Sequence, residues 1–358
     1  MNWQHPTVLL ALAAPALAAA AAPVELTPPT EPIATPATVL ELEFRTLRTF
    51  DIKLPAESFV PIEGGIPFAG APGGSFACGI TDNGLAFDRD ADGTVDGEVA
   101  PTDEDAPTRL LTFRMEDGAA FAVRAKLDGR WVAAPGGAMM GALGRTPVAF
   151  IDQNGNGRFD DIGADAMVIG RSKVASFLSE IVELDGELFH LDVAPDGQRA
   201  ELTPYAGPVG TLDLSSFESK AKLRGLVVNS ADGKRSFELA DDVVAGQATQ
   251  LPAGTYRIHS GEVVKGKSSA QLSAGRIGDL VVAADGATEL AWGGPVQAEV
   301  AYTRQGGELS IAPNDVTYFG RAGEAYSDFM PLGSSPAFQV KDRVSGEVLV
   351  DMVFPGNC

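Results

Sequence analysis

The chain of 358 residues carries 27 Lys and Arg against 48 Asp and Glu, which gives a formal net charge of −21 at pH 7. A surface this acidic repels nucleic acid and anionic lipid and attracts cations. Hydrophobic residues make up 45% of the chain, enough for packed cores, and the 2 Cys and 3 His are too few for zinc ribbons or iron–sulfur centres.

The N-terminus has the features of an export signal. The apolar run Val8–Ala22 is shorter than the roughly 20 residues that a membrane-spanning helix needs. Small residues at Ala16 and Ala18 suit signal peptidase, so we interpret residues 1–18 as a cleaved signal peptide. A buried core helix is the alternative, which the prolines that follow disfavour. The mature protein is therefore expected to be periplasmic or extracellular, with no membrane span.

The rest of the chain divides by composition into a tether and two β-rich regions. Residues 19–38 contain five prolines and almost no large apolar side chains, which predicts an extended tether. Residues 39–205 are predicted to form an acidic N-terminal β domain, and residues 206–358 a C-terminal β-sandwich region.

Alternating apolar and polar residues with frequent turn signals predict an all-β fold of tandem β-sandwich domains, with short or no helices. Hairpin turns are expected at Asp185-Gly186, Asp196-Gly197, Asp232-Gly233 and Ser345-Gly346, because glycine tolerates positive φ. Only Ser172–Glu183 has a spacing compatible with a helix, and it is equally compatible with strand.

Two segments carry a resemblance to known β-sandwich families. Leu251–Ile258 (LPAGTYRI) is similar to the strand entry of carboxypeptidase-regulatory and prealbumin-like domains, and the hairpin within Phe338–Phe354 resembles the closing hairpin of immunoglobulin-like domains. These resemblances imply an immunoglobulin-like or prealbumin-like fold and no particular activity. As a whole, the chain resembles uncharacterised exported bacterial proteins.

An acidic loop follows an apolar segment at Phe87–Glu98 (FDRDADGTVDGE). Alternate residues at the start of this loop supply oxygen ligands, and a glycine at the sixth position permits the chain to bend around one ion. Val95 is expected to anchor the loop to the core. The candidate calcium ligands here are Asp88, Asp90, Asp92, Asp96 and the backbone carbonyl of Thr94.

A second loop, Ile151–Asp161 (IDQNGNGRFDD), repeats this spacing with less charge, and Phe159 is its expected anchor. Its candidate ligands are Asp152, Asn154, Asn156, Asp160 and the backbone carbonyl of Arg158.

Both loops resemble the D-x-D-x-D-G calcium loops of EF-hands, dockerins and thrombospondin type 3 repeats. The bidentate glutamate of the twelfth position is replaced by Val99 and Gly163, so Glu98, Asp161 or Asp165 would have to substitute. The flanks look like strands, which predicts structural calcium loops within β-hairpins or strand connections. A polar turn that binds no ion is the alternative, since Asp, Asn and Gly are common in turns.

Other signals favour structural roles. The segment Gly261–Ser268 matches a phosphate-loop expression, but its valines suit a hairpin tip better. His190 and His259 lie in strand-like runs with no nucleophile motif nearby, and Trp131 and Trp292 are expected in the core. Cys78 and Cys358 form either a disulfide or two separate thiols.

These features favour an exported, non-catalytic envelope or secreted protein, stabilised by calcium, with a binding or structural role. The alternatives are a secreted hydrolase with an unrecognised acidic site and a carbohydrate- or peptide-binding module. The expected partner is an extracytoplasmic protein or glycan.

The signal-peptide interpretation predicts that exported protein starts at Ala19. Intact-mass measurement of material purified from outside the cytoplasm is expected to show the loss of residues 1–18. A retained N-terminus in that material would contradict the interpretation.

Overall fold

The computed structural model describes residues 37–103, 107–306, 308–310, 316–328 and 337–353. The signal peptide, nearly all of the tether and Cys358 lie outside these ranges. The contacts of the chain group Pro36–Cys358 into one unit, so the boundary between residues 205 and 206 stays a prediction.

The all-β class is confirmed, with 53% strand and 3% helix. The strands that precede residue 205 are β1 (Thr38–Glu41), β2 (Glu43–Thr46), β3 (Val60–Pro61), β4 (Gly65–Pro67), β5 (Ser75–Thr81), β6 (Gly84–Phe87), β7 (Gly97–Val99), β8 (Arg109–Arg114), β9 (Ala120–Asp128), β10 (Arg130–Pro135), β11 (Gly137–Leu143), β12 (Thr146–Ile151), β13 (Ala166–Ile169), β14 (Ser176–Phe177), β15 (Ile181–Leu184), β16 (Glu187–Val193) and β17 (Arg199–Pro204). A 3-10 turn occupies Pro72–Gly74.

The C-terminal region continues with strands and one short helix, α1 (Ala240–Ala245). Its described strands are β18 (Val209–Asp213), β19 (Lys222–Ser230), β20 (Ser236–Glu238), β21 (Thr249–Pro252), β22 (Gly254–Lys265), β23 (Ser268–Ser273), β24 (Leu280–Val282), β25 (Ala287–Glu289), β26 (Gln297–Val300), β27 (Thr303–Gln305), β28 (Glu308–Ser310), β29 (Val316–Phe319), β30 (Ala325–Ser327), β31 (Ala337–Lys341) and β32 (Val348–Val353).

Four sheets are built from β1 to β17. Their strand orders are β1-β17-β16-β15, β3-β10-β9-β8, β14-β13-β12-β11-β2 and β4-β5-β6-β7. The strand pairs within these sheets are antiparallel, and most neighbours in the sheets are also neighbours in the chain. Short connections of this kind explain why the turn signals are so frequent in the sequence.

The C-terminal region is organised around an eight-stranded sheet in which β20-β19-β22-β23-β30-β29-β26 follow in order and β24 pairs with β22. A three-stranded sheet, β21-β18-β25, contains the parallel pair β18 and β25. Two further hairpins, β27-β28 and β31-β32, each form a sheet of two strands.

Apolar side chains form separate cores in the two regions. The larger core spans Leu40 to Leu202 and contains a cluster of stacked phenylalanines around Phe76 and Phe121. The core of the C-terminal region spans Leu212 to Tyr326. A third, smaller core beside β12 and β13 includes Ile151.

The backbone φ angles at the four glycines agree with the predicted hairpin turns. Gly186, Gly197, Gly233 and Gly346 all have positive φ, and Asp185 joins them at +53°. The ambiguous segment Ser172–Glu183 contains strands β14 and β15 and no helix. Among the described residues, no helix has the length and hydropathy needed to cross a membrane.

Candidate metal-binding loops

The first loop connects the antiparallel strands β6 and β7, and the second connects the antiparallel strands β12 and β13. In each case the first aspartate follows the last strand residue directly: Asp88 follows Phe87, and Asp152 follows Ile151. The placement of these loops within β-hairpins, expected from their flanks, is therefore confirmed. The sheet fixes the start of each loop, so the first carboxylate has a defined direction.

The carboxylate of Asp88 organises the first loop. This side chain is only 3% exposed, and it accepts hydrogen bonds from the backbone N–H groups of Ala91 at 2.8 Å and Gly93 at 2.9 Å. Two further bonds follow along the loop, from the Asp92 N–H to Asp90 and from the Thr94 N–H to Asp92. The backbone of the loop therefore curves around the side chains of Asp88, Asp90 and Asp92.

This winding brings three carboxylates to one point. An oxygen atom from each of Asp88, Asp90 and Asp92 lies within 4.8 Å of the others. Calcium binds oxygen at about 2.3–2.6 Å, so one ion fits between atoms at this separation. Asp90 and Asp92 are exposed, which leaves the point open to solvent. Asp96 instead accepts the Arg89 N–H at 3.0 Å.

The second loop repeats the same hydrogen bonds at matching positions. Asp152 accepts from the N–H groups of Gly155 and Gly157, each at 2.8 Å, as Asp88 does from Ala91 and Gly93. The Asn156 N–H donates to Asn154, and the Arg158 N–H donates to Asn156. The two loops therefore share one backbone design although their sequences differ in charge.

The backbone angles show the same correspondence. The fourth position has positive φ in both loops, +62° at Ala91 and +73° at Gly155, and the sixth has +89° at Gly93 and +80° at Gly157. A side chain at Gly157 would place its Cβ 2.3 Å from the carbonyl carbon of Pro67. Glycine is required there both by its φ angle and by this close approach.

The anchors of the two loops differ. Phe159 is 1% exposed and belongs to the larger core, as predicted. Val95 is 54% exposed, so the prediction that it anchors the first loop is wrong. The physical reason is that the first loop leads into the three-residue edge strand β7, and no other atom lies within 4 Å of a Cβ position at Gly93.

The second loop is fastened to distant parts of the chain. Its Gly157 carbonyl accepts the Ala69 N–H at 2.7 Å, and its Phe159 N–H donates to the Pro195 carbonyl at 3.0 Å. The Gln153 side chain accepts the Ala56 N–H at 3.1 Å. Three segments far apart in sequence therefore depend on the position of this loop.

Polar side chains around the second loop form hydrogen bonds with one another. The carboxylate of Asp160 pairs with the guanidinium of Arg158, through bonds of 3.0 and 2.6 Å. Asp161 instead accepts the side-chain amides of Asn154 and Asn156, at 2.9 and 2.5 Å. Asp161 thus joins the predicted ligand residues, as one of the residues expected to replace the missing glutamate.

Asp165 lies behind the second loop and is fully buried. Its carboxylate accepts the backbone N–H groups of Gln153 at 3.2 Å and Asp161 at 3.0 Å, and thereby ties the end of the loop to its start. In the first loop, Glu98 accepts the Thr81 hydroxyl at 2.6 Å, on the outer side of the hairpin.

Burial raises the pKa of Asp152 to about 6, and burial together with the neighbouring Asp152 charge raises the pKa of Asp165 to about 8. Because both folded-state pKa values lie above the ordinary value of 3.8, ionisation costs stability as the pH rises through this range. A cation bound beside these carboxylates would offset that cost.

The other residues that the sequence analysis considered have structural positions in the fold. Trp131 and Trp292 are buried, so neither forms a surface on which a sugar could stack. The phosphate-loop expression falls on the hairpin of β22 and β23, in agreement with the hairpin-tip interpretation. Cys78 lies half-buried in β5, and its pairing with Cys358 stays a prediction.

Comparisons of the chain with models of protein families, with curated proteins and with solved structures give no match. The geometry of the two loops therefore carries the functional interpretation.

The contrast between the anchors gives a matched pair of substitutions. Phe159→Ala is expected to lower the free energy of unfolding by about 3–5 kcal/mol, because it removes a fully buried aromatic ring. Val95→Ala is expected to change it by no more than about 0.5 kcal/mol, because that side chain is exposed. Chemical denaturation of both variants measures the difference, and equal effects would contradict the assigned docking of the loops.

Proposed function

We propose that this is an exported, non-catalytic β protein that binds calcium in its two hairpin loops and serves a binding or structural role. The observation that carries the proposal is the convergence of Asp88, Asp90 and Asp92 on one point. Thr94 supplies its backbone carbonyl and Asp96 completes the first site, as in the loops that it resembles.

Calcium is the ion that suits this arrangement. The ligands are all oxygen atoms, which favours hard cations over zinc and copper. The loop is open on one side and winds around flexible side chains, which suits the variable coordination of calcium better than the strict octahedron of magnesium. Three carboxylates so close together repel each other, and a divalent cation replaces that repulsion with coordination.

The second loop is proposed to bind calcium more weakly. Asp152, Asn154, Asn156 and the Arg158 carbonyl are the proposed ligands, and Asp161 is better placed than Asp160 to complete them, because Arg158 already pairs with Asp160. The amide side chains bring less negative charge, which lowers the affinity for a cation.

The proposal includes tandem β-sandwich domains of immunoglobulin-like or prealbumin-like type. The separate cores of the two regions support this arrangement. The buried alternation of Tyr256 and Ile258 supports the resemblance of Leu251–Ile258 to a strand entry. Export rests on the signal-peptide features of residues 1–18, and the proposed partner is an extracytoplasmic protein or glycan.

The alternative function, a secreted hydrolase, has less support than calcium binding. It would need a pair of carboxylates outside the two loops. A cleft lined by Glu183 and Glu238 lies between β15 and β20. Glu238 accepts the N–H groups of Leu226 and Ala240, and Glu183 accepts that of Gly186, so hydrogen bonds within the fold occupy both carboxylates. This favours a structural role for the pair.

Thermal unfolding with calcium and then with excess chelator tests the proposal. If the ion binds only the folded state, a hundredfold excess over Kd adds about 2.7 kcal/mol, which raises Tm by several degrees. Magnesium is expected to raise Tm less.

The variant Asp90→Asn with Asp92→Asn is expected to lose most of the calcium effect. The matched control, Glu63→Gln with Asp82→Asn, removes two charges from exposed positions outside the loop and is expected to keep it. An unchanged Tm in the unaltered protein would mean that the loops are ordinary turns.

A further inference from the structure

A cleft that neither loop explains separates the two regions of the chain. Its lining comes from both sides, with Glu183 and Asp185 from β15 and its turn, and Glu238, Asp241 and Asp242 from β20 and α1. Lys and Arg are absent from the described lining residues, so negative charge faces negative charge across the space.

Hydrogen bonds at one side of the cleft hold the two regions together. The Phe177 N–H donates to the Ser236 hydroxyl at 3.1 Å, and the Ser236 N–H donates to the Ser179 hydroxyl at 3.2 Å. The Glu180 N–H donates to the Lys234 carbonyl at 2.9 Å. These bonds, together with the ion pair of Lys234 with Glu180 at 3.0 Å, join residues 177–180 to residues 234–236, and charge repulsion in the cleft opposes them.

We propose that this cleft is a pH-sensitive joint, which is held closed when its glutamates carry protons and loosens as they ionise. The glutamates of the joint lie outside the metal-binding loops.

The surroundings of Glu238 determine the sign of the effect. The charged groups that face it are Asp241 and Asp242 from α1 and Glu183 and Asp185 from the opposite wall. Strand β19 presents the Leu226 N–H, α1 presents the Ala240 N–H, and the Ser172 hydroxyl also bonds Glu238, while β14 and β21 contribute the hydroxyls of Ser176 and Thr249 to the cleft. The charge of Asp241 favours the protonated form of Glu238, and burial outweighs the hydrogen bonds, which favour the ionised form.

The titration range follows from the same contacts. Burial raises the pKa of Glu238 to about 7, with a smaller contribution from Asp241. Burial also raises the pKa of Glu183, and the charge of Asp242 across the cleft adds to this. A pKa that is raised in the closed state means that closure is fully stabilised below the ordinary pKa of 4.5 and is weakened as the pH rises through about 7.

Hydrogen–deuterium exchange, corrected for intrinsic rates, measures opening of the joint directly. Peptides that contain Phe177, Glu180 and Ser236 are expected to lose protection by more than about tenfold between pH 5 and pH 8. Peptides from strand β9 report the stability of the distant core, which the ionisation of Asp152 and Asp165 also lowers, and the loss of protection at the joint is expected to exceed the loss there.

The double variant Glu183→Gln with Glu238→Gln keeps the hydrogen-bond acceptors and removes the titratable charge. Its protection at the joint is expected to match that of the unaltered protein at pH 5 and to stay within about threefold up to pH 8. The control Glu187→Gln changes an exposed glutamate on the neighbouring strand β16 and is expected to behave like the unaltered protein.

Two results would overturn the proposal. One is an equal loss of protection in the double variant and the unaltered protein, which would place the pH response elsewhere. The other is an unprotected joint in the double variant at pH 5, because neutral side chains would then fail to close the cleft.

Discussion

The candidate site depends on one buried carboxylate at the start of each loop. Asp88 and Asp152 are placed by the last residue of a strand, and each accepts backbone N–H groups from the fourth and sixth positions of its loop. These bonds satisfy amides that the turn would otherwise leave without acceptors. In the first loop they also turn the alternate side chains Asp90 and Asp92 toward Asp88, which creates the candidate metal site.

The same device has different consequences in the two loops. Around Asp88 the loop is exposed and strongly charged, so we propose that a bound cation stabilises it. Around Asp152 the loop is packed against the larger core through Phe159 and fastened to Ala69 and Pro195. The first loop is therefore proposed as the stronger cation site, whereas the second is the one packed into the fold.

The turns and the spacing of the loops could be predicted from the sequence. Burial and contacts between distant segments could be predicted only in part. Positive φ at Gly186, Gly197 and Gly233 was predictable because aspartate and glycine together have few other conformations available in a tight turn. The hydrogen-bonded spacing of the loops was predictable for the same reason. These features depend on a few neighbouring residues.

Features that depend on residues far apart in the chain were not predictable. The exposure of Val95 follows from what the neighbouring sheet leaves uncovered, which the spacing of the loop does not contain. The replacement for the missing glutamate was left open between Glu98, Asp161 and Asp165, and the contact of Asp161 with the two asparagine amides could not be read from the spacing of the loop. The acidic cleft is lined by Glu183 and Glu238, which lie on strands of two different sheets.

Two groups of acidic side chains in this chain thus have different proposed means of neutralisation. The loop carboxylates are proposed to bind a metal ion, and the cleft carboxylates a proton. Calorimetric titration of chelator-treated protein with calcium is the most direct test of the first and central claim. The account predicts binding of two ions per chain, with the tighter site lost in the Asp90→Asn and Asp92→Asn variant. An absence of bound calcium at millimolar concentration would contradict it.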